Sequence, residues 1–85
     1  MQVLLVVDRA KARAGIWGMV WTDQDDDPRL LESKWFRGEA ALKVWLAGIA
    51  TRYGPSNISV DWTGSLKADD RLASVVKDFV DPRRP

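Results

Sequence analysis

The sequence predicts an α+β domain: a three-stranded antiparallel meander, a helix, a fourth strand parallel to the first and a C-terminal helix, in the order β-β-β-α-β-α, with both helices packed on a single sheet. Three observations predict it. The first 36 residues hold three apolar or alternating stretches separated by short polar turns, the pattern of a meander. From Leu42 to Tyr53 the apolar spacing becomes that of one helix face. A short β-branched stretch then follows a Gly-Pro stop, and a strand after a helix usually lies parallel to an earlier one through a right-handed crossover.

Taken in order, Val3 to Val7 is an unbroken run of valine and leucine, as expected for a strand buried on both faces. Asp8 to Arg13 is a polar, basic turn. Ala14 to Thr22 is the second strand. Its even positions are Ala14, Ile16, Gly18 and Val20, and its odd positions Gly15, Trp17, Met19 and Trp21 put the large rings on one face. Asp23 to Pro28 is an acidic turn closed by proline. It lacks the alternating ligands, central glycine and terminal glutamate of an EF-hand loop, so it reads as solvated. Leu30 to Phe36 is the third strand, with Leu31, Ser33 and Trp35 alternating against Leu30, Glu32, Lys34 and Phe36.

Leu42, Trp45, Leu46, Ile49 and Tyr53 form one helix face, opened by Gly38 and Glu39 and ended by Gly54-Pro55. Asn57 to Asp61 is a short fourth strand, and Trp62 to Ser65 a loop. A second helix is expected from about Lys67 to Val80, with Leu72, Val75, Val76 and Phe79 inward and Asp69 and Asp70 in its first turn. The tail Asp81 to Pro85 frays. No repeat or linker interrupts residues 1–85, so a single domain is expected.

At 85 residues the chain buries only a small core, and a partner or second copy would add to it. Without cysteine it has no disulfide or thiolate chemistry; without histidine it lacks the usual general base and zinc ligand. Net charge is +1, which gives no overall pull toward nucleic acid or anionic lipid. The apolar N-terminal run is too short for a signal peptide or membrane span, and a cytoplasmic protein without membrane contact is expected.

Asp8 ends the first strand, Glu39 opens the first helix and Asp61 ends the fourth strand. If strands one and four are parallel neighbours, Asp8 and Asp61 leave the sheet at one edge, with Glu39 within reach. Clustered carboxylates hold Mg²⁺ or Mn²⁺, and paired ions of this kind hydrolyse phosphodiesters. The alternative is structural: an aspartate closing a strand bonds nearby amides, and a glutamate at a helix start favours the dipole.

In this layout the chain resembles the ribonuclease H-like superfamily. Three antiparallel strands, a helix and a strand parallel to the first match in order, as do Asp8, Glu39 and Asp61. The segment Gly15-Ile16-Trp17-Gly18-Met19-Val20 looks like the family's second strand. Asp8-Arg9-Ala10 stands where the family has Asp-Gly-Ser, and its fifth strand and final helix have no counterpart. The resemblance implies a reduced metal-dependent nuclease, or a nucleic-acid-binding protein, with Asp8, Glu39 and Asp61 as Mg²⁺ or Mn²⁺ ligands.

The five tryptophans suggest a different use. Trp45 lies on the helix face and belongs to the core. Two helices cover one face of a sheet, so Trp17, Met19, Trp21 and Trp35 are the candidates for a partner-binding patch on the other. Filling a small core is the competing role. The fourth strand, Ile58, Ser59 and Val60, is a candidate edge and homodimer seam. Arg9, Lys11 and Arg13 could join aromatic rings in binding single-stranded nucleic acid, against the acidic turn and the near-zero charge. The favoured expectation is a non-enzymatic protein-interaction domain that needs no cofactor and binds and modulates a larger protein. In size it is similar to regulators and inhibitors encoded by bacteriophages or mobile elements.

Overall fold

The computed structural model describes residues 2–9, 14–23 and 26–80. Four strands form one mixed sheet: β1 (Val3–Arg9), β2 (Ile16–Thr22), β3 (Leu30–Phe36) and β4 (Ile58–Val60), in the spatial order β3-β2-β1-β4. β1 runs antiparallel to β2 and β2 to β3, while β4 lies parallel to β1. The helices are α1 (Glu39–Tyr53), the single turn α2 (Ser65–Ala68) and α3 (Asp70–Val80). The expected order and the parallel fourth strand are both present. The basic turn at residues 10–13, part of the acidic turn at 24–25 and the tail at 81–85 lie outside the described residues.

The helices occupy one side of the sheet. Val3, Leu5 and Val7 of β1, Ile16 and Val20 of β2 and Phe36 of β3 are buried beneath Leu42, Trp45, Leu46 and Ile49 of α1 and Leu72, Val76 and Val80 of α3. Strand side chains alternate between faces. Leu4 and Val6 therefore point the other way, and they are only half-buried. The unbroken apolar run of β1 predicts burial on both faces, and this expectation is corrected. β1 is central in the sheet, so flanking strands shield it laterally, but no described element lies over its second face.

Gly18 sets how closely α1 approaches. A Cβ at this position would fall 2.5 Å from Cζ3 of Trp45 and 3.1 Å from Cε2 of Phe36. The Trp45 indole thus rests on bare backbone, tilted against Phe36 with ring centroids 5.4 Å apart. Gly54 ends α1 in the left-handed region, φ 85°, where a side chain is disfavoured, and its N–H donates to the Ala50 carbonyl at 2.9 Å. A 3-10 turn at Pro55–Asn57 then leads into β4, which is shorter at each end than the expected Asn57–Asp61.

The second helix is broken where the sequence predicts continuity. Asp69 is extended, φ −123°, ψ 93°, and separates α2 from α3. Its Oδ1 accepts the Leu72 N–H at 3.0 Å, which makes it the N-cap of α3. Its Oδ2 accepts from Arg9 Nε at 2.5 Å, anchoring that cap to the end of β1. The buried residue of α2, Leu66, stands six residues before Leu72 and so off the stripe that Leu72, Val75, Val76 and Val80 form on α3.

A Gly18→Ala chain is expected to lose about 1–3 kcal/mol of stability, the range for overpacking a filled site, read as a lowered urea midpoint.

Candidate functional site

The face opposite the helices carries the remaining rings. Directly paired residues of neighbouring strands share a face. Leu4 pairs with Trp21, Val6 with Met19 and Asp8 with Trp17 across β1 and β2. Trp17 pairs with Trp35, and Met19 with Ser33, across β2 and β3. Ser59 of β4 lies beside Leu4. Strand register thus brings Trp17, Met19, Trp21 and Trp35 together on one surface, contiguous with Leu4 and Val6. A Cβ at Gly15 would overlap the indole of Trp35, so that ring, too, lies on glycine backbone.

Exposure grades across this surface. Trp17 is 43% accessible, while Met19, Trp21 and Trp35 are half-buried against their neighbours. A register shift at Val20/Trp21 places Leu30 opposite Trp21 and leaves Leu31 as the extra residue of a bulge; both leucines are exposed. Leu4, Val6, Leu30 and Leu31 were absent from the candidates drawn from sequence. The β1 pairs with Trp21 and Met19 depend on the hairpin register, which strand composition does not encode. Among the described residues, Asp8 is the one ionisable group whose strand position alternates onto this face.

Each acidic candidate has a neighbour of its own. Glu39 Oε2 accepts from Arg71 Nε at 2.7 Å, binding the start of α1 to α3 and holding the guanidinium more firmly protonated than usual. Asp61 Oδ1 accepts from the Thr63 hydroxyl at 2.5 Å and the Thr63 N–H at 3.0 Å, an Asx turn. Those two donors, the hydroxyl foremost, hold the Asp61 carboxyl below the ordinary aspartate range. Asp8 Oδ1 faces the start of α2, 3.5 Å from the Ser65 nitrogen. Among the described residues no three carboxylates are grouped so as to hold a metal ion. Asp8, Glu39 and Asp61 keep the expected order at the expected element ends, but local hydrogen bonds and an ion pair turn them to separate tasks.

The other candidates also have defined places. β4 is one edge of the sheet; Ile58 is buried, Ser59 exposed and Val60 half-buried, so the proposed seam is three residues long. The opposite edge, β3, is seven residues long. Trp45 is buried, as its helical spacing requires. Trp62 is 40% exposed beyond β4, with the Lys77 ammonium 5.5 Å from its ring centroid. Arg9 is engaged by Asp69, while Lys11 and Arg13 lie outside the described residues. No helix among the described residues is long and apolar enough to cross a membrane. No family model, curated protein or solved structure matches this chain.

The lowered Asp61 carboxyl has a consequence with a definite sign. At acid pH the unfolded chain binds its proton more readily than the folded one, so stability rises with pH. The contribution is complete above the ordinary aspartate value of about 3.9 and is lost as pH falls through the lower folded value. Asp61→Ala is expected to be less stable than the native chain near neutrality, with the deficit shrinking as acid protonates the native carboxylate. Urea midpoints across an acid titration test this.

Proposed function

We propose that the chain is a non-enzymatic protein-interaction domain that binds a larger protein through the uncovered sheet face and modulates it. The observation that carries this reading is the contiguous apolar surface of Leu4, Val6, Trp17, Met19, Trp21 and Trp35, with no described helix over it. Tryptophan is a frequent anchor of binding energy, since a rigid ring buries much area at little entropic cost. A helix layer on the opposite side keeps the strands in register, so such an anchor is preorganised.

The charge pattern favours protein over nucleic acid as the partner. Strand alternation puts no lysine or arginine of the described residues on this face, and stacked bases need cations nearby for their phosphates. Of the described basic groups, Arg9, Arg52 and Arg71 are each engaged by a carboxylate on the helix side.

The strand order favours a second reading, a reduced ribonuclease H-like nuclease or nucleic-acid-binding protein, because β4 lies parallel to β1 beside it. Asp8, Glu39 and Asp61 would supply its Mg²⁺ or Mn²⁺ ligands, and each would have to leave its present partner. NMR shifts that saturate at those three residues on metal titration would support it; no shifts at millimolar metal would remove it.

For the first reading, Trp17→Ser is the informative change. It is expected to cost about 1 kcal/mol of stability or less, since the ring is half exposed. It should weaken capture of a partner held by the native chain by about 2 kcal/mol, roughly thirtyfold, as for a central anchor. A folded variant that captures the same partner equally well would sink this reading. An unfolded one would assign Trp17 to the core.

A further inference from the structure

The long open edge of this sheet is β3, and its sequence is complementary to itself. Leu30–Phe36 pairs with β2 on one side, and no described strand lies on the other. An edge of this kind presents unpaired amides and carbonyls, which natural proteins guard with charges or bulges. β3 has both, in Glu32, Lys34 and the bulge at Leu30 and Leu31. The placement of those two charges goes further than guarding the edge.

Consider two copies of β3 paired antiparallel about a two-fold axis. Directly opposed residues must share a face, and the symmetry makes each pair occur twice. The axis must therefore pass through one residue and its copy. Centring on Glu32 opposes two carboxylates, and centring on Lys34 opposes two ammonium groups. Centring on Ser33 puts Glu32 opposite Lys34 of the second copy, and Lys34 opposite its Glu32. On the other face it sets Leu31 against Trp35, again twice. The regular pairing in this register runs from Leu31 to Trp35 and stops at the bulge, where Leu30 lies on the face of Trp21. Opposite charges directly across an antiparallel pair are favourable and like charges are not, so the two charged residues select one register from its neighbours.

The surroundings of these residues suit this arrangement. Lys34 and Ser33 are exposed. Glu32 is already oriented, accepting from Arg52 at 2.6 Å and from the Tyr53 hydroxyl at 2.8 Å. Burial and the bond to Glu32 hold that phenol above its ordinary value. A second cation from the other copy would thus meet a carboxylate fixed in place. β4 has only three residues to pair.

We propose that the chain forms a symmetric homodimer by antiparallel pairing of β3 with β3 of a second copy, centred on Ser33, giving a continuous eight-stranded sheet. The two tryptophan-bearing faces then join across the axis through Leu31 and Trp35. This pairing is independent of what occupies that face.

The chain contains no cysteine, so single cysteines report the seam directly. Ser33→Cys is expected to give a disulfide-linked dimer under mild oxidation, because the two positions meet at the axis, while Ser59→Cys on β4 stays monomeric on a non-reducing gel. By sedimentation velocity the native chain should dimerise. Lys34→Glu should raise the dimer dissociation constant about tenfold or more by opposing two carboxylates at both charged pairs. Mixing Lys34→Glu chains with Glu32→Lys chains should restore association, since each charged pair is again of opposite sign. Circular dichroism of each variant checks the fold. If Glu32→Lys does not fold, the cysteine pair and Lys34→Glu decide alone. A native chain that stays monomeric at high concentration overturns the proposal. So does cross-linking through Ser59→Cys instead of Ser33→Cys, or a Lys34→Glu chain that associates as well as the native one.

Discussion

At Gly18 the helix layer meets the sheet through a ring resting on backbone. The close seat of Trp45 lets α1 lie flat across β2 and β3, and α3 packs beside α1 to complete the layer. The buried apolar residues of both helices are spent on this single face. The sheet therefore has an inside, where Val3, Leu5, Ile16 and Val20 are sealed, and a second face that depends on the strands alone for cover. The tryptophan surface follows from that asymmetry, as does its separation from most of the charged groups.

The ion pairs lie mainly around the helix layer, and each joins elements distant in sequence. Arg52 of α1 holds Glu32 of β3, Arg71 of α3 holds Glu39 of α1, and Arg9 of β1 holds Asp69 at the cap of α3. Exposed pairs of this kind contribute little individually. Their importance here lies in allocation. Glu39 is drawn toward α3 and Asp61 into its own turn, so carboxylates that fall in a suggestive sequence order need not face a common point.

Much of the fold was legible in the residues. Alternation of Leu31, Ser33 and Trp35 against Glu32, Lys34 and Phe36 marked β3 at its observed ends, and the spacing of Leu42, Trp45, Leu46 and Ile49 marked the buried face of α1. Grouping the odd residues of β2 anticipated that Trp17, Met19 and Trp21 would share a surface. Less legible were features set by distant partners. The extended conformation of Asp69 depends on capping Leu72 and on Arg9, far away in sequence. The fate of Leu4 and Val6 depended on which side the helices chose, and a run of valine and leucine carries no sign of that. The acidic trio could be ordered from sequence, but its geometry was decided by Thr63 and Arg71.

The parallel pairing of β4 with β1 also bears on the order in which the chain folds. Val3 meets Ile58 about 55 residues later, whereas β1, β2 and β3 meet through short hairpin connections. Contacts close in sequence form at lower entropic cost, and distant ones wait for the intervening chain to condense. The meander's pairings are therefore cheaper to close than the β1–β4 pairing, which needs α1 and the crossover in place. Until they arrive, the inner edge of β1 lacks its neighbour and Val3 and Leu5 lack their lid. A chain in which the meander had formed and the crossover had not would expose more apolar sheet than the finished domain shows, and closing the crossover ends that exposure.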